Sequence, residues 1–275
     1  EVEILRAGKT SWEKMDNFKS IKFDKEGAVA WIELNRPDAA NGLNAQMASE
    51  LRQAAKLCDG DPALKAVVLR AGGRFFCAGG DLKEMLDNGD KAGDVVKALA
   101  DDLHAAISIL SRMQALLVVA VNGVAAGGGF GLALVGDIVL AAQSASFTMA
   151  YSWAGLCPDG SSSYLLPRLV GLRKAQELML LNPTLSADDA REAGMVTRVV
   201  ADDQLWAETE AVAADFANGA RQSTAYVKKL LLASSVNDLE TQMDLEAELI
   251  KSCVSSRDGR EGIQAFVEKR KPEFE

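Results

Sequence analysis

The chain has 275 residues, 48% of them hydrophobic and 25% charged, with a formal net charge of −9 and a pI near 4.9. That is enough apolar material for a large buried core, and the acidic balance argues against a nucleic-acid partner, where phosphate contacts dominate affinity. No apolar run of about 18 residues suggests a membrane span, and Cys58, Cys77, Cys157 and Cys253 have neither CxxC nor other metal-like spacing, so free thiols in a cytoplasmic protein are expected.

Residues 1–20 are charged and weakly patterned, without the apolar stretch of a signal peptide, and read as an N-terminal extension. From residue 28 the pattern alternates: strand 28–34, helix 44–58, strand 66–70, a helical stretch ending near Met113, strand 117–121, a helix from Gly128 and strand 137–142. Residues 87–93, Asp-Asn-Gly-Asp-Lys-Ala-Gly, are the most loop-like interior segment. After Leu185 the pattern is mostly helical, with 196–200 as the one strand and helices expected at 202–218, 223–234, 238–252 and 259–269. Strands alternating with helices predict an α/β architecture with right-handed crossovers.

Two glycine-rich turns stand out: Phe76-Cys77-Ala78-Gly79-Gly80-Asp81-Leu82 and Asn122-Gly123-Val124-Ala125-Ala126-Gly127-Gly128-Gly129. Each follows a buried-strand pattern and opens a helical one, so each leaves backbone N–H groups unpaired and aimed outward. If the turns are neighbours, one N–H from each can grip a carbonyl oxygen as it becomes an oxyanion, each donor contributing roughly 3–4 kcal/mol. Taken singly, such glycines more often serve only tight turns and close packing. Neither segment has dinucleotide or P-loop spacing.

These turns, together with Leu34-Asn35-Arg36-Pro37, Asn41-Gly42-Leu43-Asn44, Gly136-Asp137-Ile138-Val139, Pro158-Asp159-Gly160, Leu166-Pro167-Arg168 and Ala265-Phe266-Val267-Glu268-Lys269-Arg270, make the chain resemble the crotonase superfamily, the enoyl-CoA hydratase/isomerase family, from about Ile21 to Phe274. The resemblance implies a crotonase-like α/β spiral of ββα repeats over 21–200 and a helical C-terminal oligomerisation segment over 201–275. It further implies an acyl-CoA thioester substrate, no cofactor beyond its CoA moiety, no metal, and a homotrimer or dimer of trimers.

Carried over residue by residue, the resemblance puts the oxyanion donors at the amides of Gly80 and Gly128. The two glutamates with which the family's hydratases handle water are replaced by Gly131 and Tyr151. A carboxylate appears instead at Asp159, where similar Δ3,Δ2-enoyl-CoA isomerases and phenylacetate-pathway isomerases carry an acid/base, and apolar neighbours Leu156 and Cys157 are expected to wall it. Pro-Asp-Gly-Ser is equally a helix-capping sequence, so an N-cap role for Asp159 stands beside the catalytic one.

His104, the sole histidine, lies on an expected helix where a surface role is ordinary, but its position matches the water-activating histidine of 4-chlorobenzoyl-CoA dehalogenases. Ala40, Ala78, Asp81, Leu82 and Lys83 are expected to line the CoA channel, with Asp81 and Asp137 mainly structural. Phe266 and Lys269 complete the channel, from a neighbouring subunit in one arrangement. Tyr151 and Trp153 are expected to wall the acyl pocket, although aromatic residues there are more often core, and both lysines read equally as parts of solvated helix faces. The leading expectation is a Δ3-to-Δ2 isomerase. The rivals are an unorthodox hydratase, a dehalogenase-like hydrolase using Asp159 and His104, and a non-catalytic thioester binder.

Overall fold

A computed structural model describes residues 18–275, so most of the expected extension lies outside the described residues. The chain enters through an antiparallel pair, β1 (Ile21–Glu26) and β2 (Val29–Leu34). A 3-10 turn at Pro37–Ala39 leads to α1 (Ala45–Asp59), whose first turn is capped by the Asn44 side chain accepting the Met47 N–H at 2.9 Å.

Three similar turns of chain follow. In each, a longer strand joins one sheet, a three-residue strand joins another, and a helix comes after. The first is β3 (Ala66–Ala71), β4 (Phe75–Cys77), then α2 (Leu82–Asp87) and α3 (Ala92–Arg112). The second is β5 (Leu116–Val121), β6 (Val124–Ala126) and α4 (Gly128–Leu134). The third is β7 (Ile138–Ala142), β8 (Ser146–Thr148) and, after a 3-10 turn at Tyr151–Ala154, α5 (Ser162–Val170).

The long strands form a six-stranded sheet in the order β1-β2-β3-β5-β7, closed by β10 (Arg198–Val200), all parallel beyond β1. The short strands form a second sheet, β4-β6-β8, completed antiparallel by β9 (Leu185–Ser186). Every residue of β5 is buried, as expected of a strand with parallel neighbours on both sides. Phe130 and Phe147 meet edge-to-face with centroids 6.3 Å apart, joining α4 to the second sheet within the core.

Helices α6 (Leu172–Leu181) and α7 (Ala187–Glu192) precede β10, and α8 (Leu205–Ala217), α9 (Arg221–Ala233), α10 (Leu239–Ser255) and α11 (Arg257–Glu268) follow it. The α/β spiral of ββα turns with a helical end is the observed architecture. Residues 87–93 differ from expectation. They pass from α2 through a 3-10 turn at Gly89–Lys91 directly into α3, because i→i+3 bonds such as Lys91 N–H to Asn88 O keep the glycine-containing segment wound. Among the described residues no helix is long and apolar enough to cross a membrane.

Candidate active site

The parallel pairing of β4 with β6 puts the two glycine turns side by side: a Cβ built on Gly79 would lie 3.6 Å from the Gly127 Cα. Both glycines have positive φ, +101° and +51°, a backbone region that side chains disfavour, and this bends each strand away before its helix begins.

The first turn is held by the 40–43 segment. Ala78 N–H donates to Ala40 O at 3.0 Å, Leu43 N–H to Gly79 O at 2.7 Å, and Asp81 N–H to Leu43 O at 2.9 Å. This ladder leaves the Gly80 N–H on its opposite side, without an acceptor among the described residues. Gly128 is the first residue of α4, where helix geometry provides no internal acceptor for its N–H. Two unpaired amides from neighbouring turns are the donor pair that an oxyanion requires.

Asp159 lies between α3 and this pair. Its Oδ1 accepts the Tyr151 hydroxyl at 2.5 Å, and its Oδ2 is 4.0 Å from His104 Nε2. His104, on α3, accepts the Gly160 N–H through Nε2 at 3.1 Å, so the neutral imidazole carries its proton on Nδ1. The Asp159 side chain does not cap α5: Ser161 occupies the N-cap with φ +65°, and no side chain bonds there. Burial, reinforced by the Asp159 carboxylate, pushes the Tyr151 phenol far above its ordinary range.

Leu156 and Cys157 do not wall the carboxylate as expected. Both are exposed, because the chain from the 3-10 turn to Pro158 runs along the surface. Gly131 faces Gly160 instead: a Cβ there would come within 2.6 Å of Gly160 O and 3.0 Å of the buried Ser162 Oγ. A glutamate at this position does not fit without moving the Asp159 turn.

Two cavities flank the site. One, of about 570 Å³, is lined by Gly80 with Ala78, Asp81, Leu82 and Lys83, and also by Arg36. Ala40, expected to line the channel, does not: its carbonyl is turned to the Ala78 N–H, so it braces a lining residue from behind. Asp81 is structural as well, capping α2 through the Glu84 N–H at 3.2 Å and pairing with Arg36 at 3.0 Å. Burial acts to raise the Asp81 carboxyl, but the Arg36 guanidinium and the Glu84 amide outweigh it and hold the group below its usual range. Asp137 Oδ2 accepts the Leu117 N–H at 2.7 Å at a strand end and pairs with buried Lys228 at 2.8 Å.

The second cavity, about 990 Å³, is lined by Asp159 and His104 with Ile107, Ser108, Ser161 and Tyr164 among others. Neither Tyr151 nor Trp153 lines either cavity, contrary to the expected acyl wall: Trp153 is 67% exposed on the outer side of its turn, and the Tyr151 ring is packed on the Gly127–Gly128 turn. Phe266, 86% exposed, and Lys269 also line neither: α11 packs chiefly on α10, away from the cleft of its own chain.

Sequence reasoning missed Arg36 and Asn41. Buried Asn41 accepts the Arg36 N–H at 2.8 Å and donates to Gly72 O at 2.9 Å and Phe75 O at 2.8 Å, fixing the segment that braces the Gly80 turn. Its signal was Asn-Gly after Arg-Pro. Of the six non-glycine residues with positive φ among the described residues, Ala40, Asn41, Ala150 and Ser161 border this site, a clustering of backbone strain typical of functional sites.

The family model described as enoyl-CoA hydratase/isomerase matches residues 24–275. The chain is 38% identical to the 1,2-epoxyphenylacetyl-CoA isomerase of Escherichia coli, covering 90% of this chain and 95% of that protein. It is 31% identical to the trans-2-decenoyl-acyl-carrier-protein isomerase of Streptococcus mutans, covering 94% and 98%. An enoyl-CoA hydratase crystal structure from Polaromonas sp. JS666 superposes with a TM-score of 0.89 at 32% identity, covering 94% of this chain and all of that one, at 100%. With a family model matched over residues 24–275, relatives 31% and 38% identical over nine-tenths or more of its length and a shared fold, the chain belongs to the enoyl-CoA hydratase/isomerase family and is an enzyme acting on acyl-CoA.

Proposed function

We propose that the enzyme shifts a carbon–carbon double bond in an acyl-CoA thioester from Δ3 to Δ2. The observation that carries this reading is the Asp159 carboxylate, bonded to a Tyr151 hydroxyl that lies 3.8 Å from the Cβ position of Gly128, with no carboxylate at either hydratase position. The thioester oxygen sits between the Gly80 and Gly128 N–H groups, with the CoA portion in the cleft of Ala78, Leu82 and Lys83 and the acyl portion toward the cavity beyond Asp159. Asp159 takes a proton from C2, and the C–H electron pair delocalises onto the thioester oxygen through C1 and, through the alkene, onto C4. Charge on that oxygen is stabilised by the two amides. The same proton returns at C4, leaving the double bond between C2 and C3.

Tyr151 cannot replace the missing water-activating base, because a phenol held so far above its ordinary range stays protonated. Isomerases stand among the relatives, one of them a trans-2-decenoyl-acyl-carrier-protein isomerase, beside others named as enoyl-CoA hydratases. The test is Asp159→Asn assayed with a 3-enoyl-CoA. Turnover falls at least about 100-fold, the usual scale for a general base, while thioester binding is retained; unchanged turnover rejects the mechanism.

The proximity of His104 Nε2 to Asp159 favours the dehalogenase-like reading as second. In that chemistry the imidazole takes a proton from water through a free ring nitrogen, whereas Nε2 here already accepts the Gly160 N–H. Halide release from 4-chlorobenzoyl-CoA, abolished in His104→Ala, would establish it over isomerisation. For assembly the proposal is a homotrimer or dimer of trimers. Leu239, Ile250, Ile263, Phe266 and Val267 on α10 and α11 are exposed apolar side chains that a neighbouring copy would cover.

A further inference from the structure

We propose that Tyr151 is a positioning residue that assigns proton transfer to one oxygen of Asp159, Oδ2, by occupying the other; this rests on the acid/base reading of Asp159 given above. A carboxylate turns about a broad, two-fold χ2, so either oxygen can present itself to the substrate. Here the Tyr151 hydroxyl donates to Oδ1 at 2.5 Å.

Tyr151 is itself anchored on the 3-10 turn, donating its N–H to the carbonyl of buried Met149 at 2.7 Å and accepting the Leu156 N–H at 3.0 Å. Its ring also packs on the second glycine turn. Cε2 lies 3.9 Å from the Cβ position of Gly127, and the hydroxyl 3.8 Å from that of Gly128. One side chain thus touches both the turn that supplies an oxyanion donor and the base, and sets the spacing between them.

The other oxygen is left free. Among the described residues no donor is bonded to Oδ2, and His104 cannot supply one from Nε2 while that nitrogen accepts the Gly160 N–H. Oδ2 takes the C2 proton as the C–H pair moves to the thioester oxygen, and the Oδ2–H returns to C4. Tyr151 keeps its own proton throughout and contributes by preventing rotation. Because the protonated carboxyl cannot turn toward the open cavity, the proton is returned to the substrate it came from.

The test compares the wild type, Tyr151→Phe and Asp159→Asn with 3-hexenoyl-CoA in D2O, following kcat, KM and the deuterium content of the product by mass. In Tyr151→Phe, kcat falls about ten-fold, the scale of one good hydrogen bond, KM stays within about two-fold, and deuterium incorporation rises as the freed carboxyl exchanges with solvent. Wild-type kcat with wild-type deuterium content overturns the proposal, as does a parallel loss of binding and rate without added deuterium. Tyr151→Leu, which also lacks the hydroxyl, is read in the same way should the phenylalanine variant fail to fold. If Asp159→Asn keeps its activity, the acid/base reading itself falls. If it is silent while Tyr151→Phe matches the wild type, only the positioning role falls.

Discussion

At the scale of single residues, the site is decided by what has no room as much as by what is present. Gly131 lies so close to the Gly160 carbonyl that one added methyl must displace the Asp159 turn. On the proposed acid/base role of Asp159, Gly131→Ala should therefore lower kcat with a 3-enoyl-CoA by about ten-fold or more, the cost of a sub-ångström misplacement of the base, with thermal stability reduced by about 1–3 kcal/mol from overpacking. Kinetics and calorimetry on the same preparation check both. Asp159 and the paired glycines were legible because each is a local motif. The contacts that give Asp159 its setting were not: His104 meets Gly160 across 56 positions, and Tyr151 reaches Asp159 only because a 3-10 turn doubles the chain back. The same doubling exposes Leu156 and Cys157, whose apolar character had suggested a wall.

At the scale of elements, the ion pairs act at junctions. Arg36 clamps the loop after β2 to the cap of α2 through Asp81. The folded-state carboxyl is held below its ordinary value, so its contribution is full above the unfolded value and disappears as pH falls through the lower folded one. Asp81→Asn should thus cost about 1 kcal/mol near neutrality, with the difference in unfolding midpoint from the wild type closing below about pH 4. Lys228 joins α9 to the base of the large sheet, donating to Leu110 O at 3.0 Å and Ala115 O at 3.4 Å as well as to Asp137. Lys228→Met should cost about 3–5 kcal/mol in denaturant unfolding, the usual result of removing one partner of a buried pair. The long strands from β2 onward and the C-terminal helices were readable to within a few residues from runs such as Leu116-Leu117-Val118-Val119 and from amphipathic spacing, whereas β1 lay before the first expected strand. β4, β6 and β8 were not, since three residues next to glycines carry no periodicity and become strands only through tertiary pairing.

For the whole molecule, the C-terminal segment sets the open question of assembly. Phe266→Asp should shift the enzyme toward a smaller species in light scattering if a neighbour covers α11, and leave its mass unchanged if α11 stays in water. The paired sheets have another consequence, for unfolding. Each ββα turn places one strand in each sheet, and the Gly80 and Gly128 amides, the proposed oxyanion donors, stand just beyond β4 and β6 in the smaller sheet. A partly denatured ensemble that retained the six-stranded sheet and its helices would keep much of its far-ultraviolet dichroism while being catalytically silent. Enzyme activity followed through a urea titration is therefore a probe of when the smaller sheet zips together, and its midpoint, set beside that of the dichroism, tells whether the two sheets melt as one cooperative unit.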